Sequence, residues 1–233
     1  RQTYRWSDID FRANKTDGHG IDWPIRYQDI APWYDHVEKF AGISGSLEGL
    51  EQLPDGKFLP PMKMNCVEAE AKQKIEKAFP TRKMIIGRCA NLTEPTKEHL
   101  ELGRGRCQFR NECEKGCSFG ASFSSLSATL PAARGTNNLT TVTDAIVHSV
   151  TYDNVSKRAT GVRVIDTNTK DYRQYSGRII FLCASTLGST QIMMNSISES
   201  FPSGIANSSG TLGHYLMDHI FMSGASGEHP GFQ

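Results

Sequence analysis

Three thiols fall within eleven residues of this chain: Cys107, Cys113 and Cys117, spaced C-x5-C-x3-C in "CQFRNECEKGC". Thiolates are nucleophiles, redox groups and soft metal ligands, so such crowding asks for a chemical reading. The spacing suits neither a two-cysteine redox motif nor a four-ligand zinc ribbon. A disulfide staple, a metal site and three incidental core residues all remain open on the spacing alone. Cys183 lies in the apolar run from Ile179 to Ala184 and reads as a buried small hydrophobe. Cys66 and Cys89 flank a helical segment without ligand spacing.

A second chemical signal is "IIFLCASTLGSTQIMM", residues 179–194, with the form strand, turn, helix. A helix that starts beside the carboxyl edge of a sheet offers free N–H groups to a phosphate. The full G-x-G-x-x-G fingerprint is absent from the chain. His214 and His219 stand five apart and do not share a helix face, which argues against a metal pair. Trp6, Trp23 and Trp33 read as packing residues rather than platforms for stacking a sugar.

Composition limits the partners. Basic residues number 26 and acidic ones 25, so no electrostatic case exists for nucleic acid or an anionic membrane surface. Hydrophobic residues make up 38% and carry several aromatics, against wholesale disorder. No apolar run approaches the roughly 18–20 residues of a membrane-spanning helix.

The elements that must position these groups follow from periodicity. The first third is loop-rich, with one helix expected from about Pro32 to Phe40, Pro32 in its first turn and Gly42 as its stop. A second is expected from about Cys66 to Phe79, with Val67, Ala71, Ile75, Ala78 and Phe79 on one face and solvated Glu and Lys elsewhere. "KMIIG" (83–87) reads as a short strand. After the cysteines, "LTTVTDAIVHSVTYD", "GVRVID" and "YRQYSG" read as a three-stranded meander. "RIIFLCAS" (178–185) reads as a strand covered on both faces, and a helix follows with Ser185 or Thr186 as its cap. The fold class is α+β.

Taken in order, these phrases resemble the glucose–methanol–choline (GMC) flavin oxidoreductases. "WPIRYQDIAPWYDHVEKFAGISG", "NLTTVTDAIVHSV", "RIIFLCASTLGSTQIMMNS" and "LGHYLMDH" each have a counterpart there, and the resemblance covers nearly the whole chain. Ser185 stands where the family usually has Gly, and Thr190 where it often has Pro. The cysteine phrase resembles a C-x5-C-x3-C-P-x-G-A loop in a bacterial branch of FAD-dependent sugar dehydrogenases, with Ser118 in place of the Pro.

The resemblance implies a partial FAD-binding domain, the meander plus one strand–helix unit, joined to part of a substrate domain. Its implied boundaries are 1–100 for the substrate or cap region, 101–135 for the cysteine loop and a connecting helix, 136–200 for the flavin-side unit and 201–233 for a return toward the substrate domain. It implies hydride transfer to FAD from an alcohol group of a sugar or polyol. The backbone of Val147 would face the adenine, and Ala184 and Ser185 would lie near the adenosine. Asp218 and His219 would shape a loop near the flavin. It also implies a [3Fe–4S] cluster on Cys107, Cys113 and Cys117 that passes electrons to a protein or quinone acceptor. Three thiolates match the three irons of a cuboidal cluster with one vacant corner, and Gly116 lets the loop turn them inward. The family's dinucleotide fingerprint and catalytic His would lie outside these residues, so the chain reads as the central part of the enzyme. The competing expectation is a non-enzymatic binding module with a metal-stapled loop.

Overall fold

A computed structural model describes residues 2–216, 224, 226 and 227. They fall into two compact units, one up to Leu139 and one from Thr140 onward.

Short polar signals start the helices of the first unit. α1 (Asp8–Asp17) begins where the Ser7 N–H donates to Asp10 Oδ2 at 2.6 Å, and ends on Gly18 with φ +77°. The loop-rich reading missed it, because its residues are mostly polar and only Phe11 is buried. α2 spans Tyr27–Ala41, starting five residues before the expected position. Asp29 Oδ2 accepts the Arg26 N–H at 2.7 Å, so an acidic cap sets the start and Pro32 lies inside the helix. α3 (Cys66–Ala78) sits where its periodicity placed it, capped reciprocally by Asn65 and Glu68. No residue of α3 is fully buried; Ile75 and Phe79 on its expected inner face are exposed. Residues 83–87 form no strand; Cys89 makes isolated bridges to Gln2 and Ser44. α4 is Lys97–Glu101, and a π-helical turn at Ser125–Thr129 runs into α5, Leu130–Gly135.

Three buried arginines organise this unit. Arg5 forks onto Glu38, Nε to Oε1 at 2.9 Å and Nη2 to Oε2 at 2.6 Å, and also donates to Asp35 and the Tyr27 hydroxyl. Burial pushes the Arg5 guanidinium down, but these partners outweigh it and hold it above its ordinary value. Arg88 pairs with Asp55 at 2.7 Å and lies over the Phe58 ring. Arg104 has no carboxylate among its hydrogen-bond acceptors. It donates to the carbonyls of Phe40, Ala41, Gly120 and Ala121, and burial pushes it down. His99 Nδ1 accepts the Thr96 N–H at 3.0 Å, so Nε2 carries the proton and donates to Lys39 O at 2.9 Å. Together His99 and Arg104 satisfy the last carbonyls of α2, beyond which Gly42 turns the chain at φ +77°.

The second unit is the expected meander: β1 (Ala145–Asp153), β2 (Arg158–Asp166) and β3 (Tyr172–Ser176), antiparallel in that order. The β1–β2 register slips between Val147 and Ser149, leaving His148 as a bulge. α6 (Ser185–Asn195) packs on β1. Ser196 joins them, its hydroxyl accepting the Val150 N–H at 2.8 Å and donating to Ile192 O at 2.6 Å.

The apolar run at 178–184 departs from expectation. It forms no ladder, Ile179 and Phe181 are 75% and 81% exposed, and Cys183 is exposed rather than buried. An apolar run specifies a covered strand only where neighbouring strands cover it, and none does so among the described residues. The helix cap differs too. Ala184 is the N-cap, its N–H donating to Ser189 Oγ at 3.2 Å, and neither Ser185 nor Thr186 caps the helix. The tryptophan expectation holds in part. Trp23 packs edge-on with both Phe11 and Trp6, and Trp6 lies tilted against Phe11, whereas Trp33 is 70% exposed.

Candidate functional site

The cysteine loop is pinned at its neck by the backbone. The Cys107 N–H donates to Leu92 O at 2.7 Å, Leu92 N–H to Ala121 O at 3.0 Å and Gly105 N–H to Phe119 O at 2.7 Å. Arg104, at the base, holds Gly120 and Ala121 from beneath. Within the loop Phe109, Asn111 and Gly116 take positive φ, with Gly116 at +102°, where a side chain is strongly disfavoured.

This geometry brings Cys107, Cys113 and Cys117 onto the wall of one cavity of about 290 Å³. Among the described residues no cysteine takes part in a disulfide. Among the described residues no three His, Cys, Asp or Glu side chains converge tightly enough to hold a single metal ion. Burial pushes the Cys117 thiol up. The backbone N–H groups of Ser122, Phe119 and Ala121 and the Arg110 guanidinium outweigh it, so Cys117 lies below its ordinary value. Cys89 is pushed up by burial and by the neighbouring Cys113.

Sequence reasoning missed Asn91. It is 8% exposed, lines the same cavity as the three thiols, and its Oδ1 is buried without a hydrogen-bond partner. Its importance is a tertiary property, burial beside the cysteines, for which the sequence carries no signal. Three thiols on the wall of one hollow are soft donors of the kind that fits a metal-bearing group.

In the second unit, Val147 and Ala184 line a single cleft of about 660 Å³. β1 and β2 supply one wall through Ile146, Val147 and Val162, while the 179–184 stretch and α6 supply the other. The walls are mainly aliphatic, and the extended 179–184 backbone offers peptide groups beside them. Ser185 is not on the lining but follows Ala184 at φ +64°. Residues 147 and 184 are thus brought together, as a flat apolar ligand with a polar edge requires. His214 makes a ring contact with Tyr215. Asp218 and His219 lie outside the described residues.

The chain is 30% identical over 230 residues to a 2-methyl-1,2-propanediol dehydrogenase of Mycolicibacterium austroafricanum, covering 93% of this chain and 38% of that protein. It is 24% identical over 232 residues to the fructose dehydrogenase large subunit of Gluconobacter japonicus, covering 97% and 41%. It is 25% identical over 220 residues to a paromamine 6'-oxidase of Streptomyces fradiae, covering 92% and 38%. The chain therefore spans about two fifths of the length of these relatives. The pattern of the GMC oxidoreductase family matches residues 16–221. With that match across most of its length, the chain belongs to the GMC oxidoreductase family.

Proposed function

We propose that this chain forms part of the flavin-binding framework of an FAD-dependent dehydrogenase that oxidises an alcohol group of a sugar or polyol. The observation that carries the reading is the shared cleft of Val147 and Ala184. The relatives are named for a diol, a sugar and paromamine, which supports an alcohol as substrate. When bound, the flavin would accept hydride from the alcohol carbon. In this chain the Val147 peptide would read the adenine edge through its N–H and C=O, so its side chain need only pack. The Ala184–Ser185 turn would hold the adenosine, and the aliphatic walls would exclude water from it. The catalytic base is assigned to no residue of this chain, so these residues alone are expected to be inactive.

The test uses the full-length protein. Val147→Arg would fill the cleft and should lower flavin content at least about tenfold, since a buried unpaired charge costs several kcal/mol. Purified wild type without flavin absorbance, or a Val147→Arg protein with wild-type content, would overturn the reading.

A second reading concerns the cysteines. We propose that Cys107, Cys113 and Cys117 hold a [3Fe–4S] cluster that passes electrons singly to a protein or quinone acceptor. Their shared cavity supports it, because about 290 Å³ is roughly ten times the share of one water molecule and leaves room for a multi-atom group. Anaerobically purified full-length protein should carry about three irons with matching sulfide. Cys113→Ser should remove the iron, spare flavin reduction by substrate, and slow transfer to the acceptor. Fully active, iron-free enzyme would reduce the three cysteines to a structural loop.

A further inference from the structure

The cleft of Val147 and Ala184 is mainly aliphatic, so the few polar side chains on it decide what its ligand must offer. Helix α6 contributes Gly188, Gln191 and Ile192 to the lining, and Ala184 precedes it as the cap. The spacing 184, 188, 191, 192 is that of one helix face. Ile192 is the buried member of this face, whereas Gln191 is exposed. The Gln191 carboxamide makes no hydrogen bond among the described residues.

Helical side chains lean toward the N-terminus and cover the turn before their own Cα. The turn before Gln191 carries Gly188, which has no side chain, and a Cβ added there would stand 3.2 Å from the Ala184 Cβ. Leu187, also on that turn, is 70% exposed and is not on the lining. Bare helix surface therefore runs from Gln191 toward Ala184, open to the amide. Among the described residues of the lining, Gln191 alone has a side chain that holds a donor and an acceptor side by side in one plane.

That pairing matches one edge of adenine. A glutamine amide accepts from the N6 amino group and donates to N7, as it does with adenine in nucleic acids. The Val147 peptide, in the flavin reading above, takes the other edge, and the two hydrogens on N6 serve both partners.

We propose that the Gln191 carboxamide is a specificity-determining contact for the adenine base of FAD, pairing with its N6–N7 edge and rejecting a 6-oxopurine. This rests on the flavin reading above. A 6-oxopurine presents acceptors at both O6 and N7, so the amide oxygen faces a second acceptor and the bidentate pair is lost.

The experiment strips flavin from the full-length protein and measures the binding of FAD and of flavin hypoxanthine dinucleotide by the change in flavin fluorescence. Wild type should prefer FAD. Gln191→Leu should weaken FAD binding and narrow that preference, each by about fivefold or more, the lower end of what one bidentate amide–adenine pair contributes. A residue that only supports the helix would weaken both ligands equally, so the ratio separates recognition from packing. Gln191→Glu keeps the shape but sets a second acceptor against N7. It should weaken FAD binding as Leu does, and it decides the matter if Gln191→Leu fails to fold. A wild type without preference, an unchanged ratio in Gln191→Leu, or unchanged FAD affinity in either variant overturns the proposal. Wild type that takes up no FAD overturns the flavin reading and this proposal together. Variants that match a wild type competent in FAD binding overturn only this one.

Discussion

Ser185 sits at φ +64°, a conformation that costs an ordinary L-residue about 1–2 kcal/mol and glycine little. The resemblance leads one to expect Gly at this position, and the Ser found there carries backbone strain. Ser185→Gly should therefore stabilise the chain by about 1 kcal/mol, read as a raised urea midpoint at unchanged m-value. Acid sensitivity also belongs to single residues. Asp35 lies below the ordinary carboxylate range, chiefly because Arg5 donates to it. Burial pushes Asp55 up, but the N–H groups of Glu48 and Gly49 and the Arg88 guanidinium outweigh it and hold it low as well. Carboxyls depressed in the folded state stabilise it fully above their unfolded pKa, about 3.9, and lose that contribution as pH falls through the lower folded value. The urea midpoint should hold steady from neutral pH to about 5 and drop below about 4. Asp55→Asn should flatten part of that drop, and an unaltered acid limb would contradict the assignment.

At the scale of elements, joints between segments carry the stability. A Cβ on Gly42 would fall on Leu92 Cδ2, and the φ of +77° disfavours it in any case. Gly42→Ala should cost at least about 2 kcal/mol in a denaturation experiment, since strain and overpacking add. Ser196→Ala would orphan the buried Val150 N–H and should cost about 1–3 kcal/mol. The meander was legible from its alternation and turns, and α3 from its period and its Asn65–Glu68 cap. α1 and the first turn of α2 were not, because Ser7–Asp10 and Arg26–Asp29 announce them through capping chemistry rather than an apolar stripe. The stretch at 178–184 misled for the opposite reason: its composition is that of a covered strand, and coverage depends on neighbours. Val147 and Ala184 were named only by resemblance and the three cysteines by crowding; that the members of each set line one hollow is a tertiary fact the sequence does not carry.

At the scale of the whole chain, that uncovered stretch sets its behaviour in solution. Ile179 and Phe181 stand out on a stretch that joins no ladder among the described residues, a surface that seeks another strand. The 233-residue chain should sediment with a concentration-dependent mass, and Phe181→Lys should shift it toward monomer. A wild-type monomer at every concentration would refute this.

The clamp that His99 and Arg104 place on the end of α2 has a kinetic consequence. Arg104 holds the Phe40 and Ala41 carbonyls and also those of Gly120 and Ala121 at the foot of the cysteine loop. Fraying of that helix end and loosening of the loop are therefore one event. In native-state hydrogen exchange, the amides of Gly42, Ile43, Leu92 and Cys107 should open with a common free energy, as a single foldon. Metal-bearing loops elsewhere gain rigidity from what they bind; this one would already be latched to a helix through a cation that has no carboxylate among its acceptors.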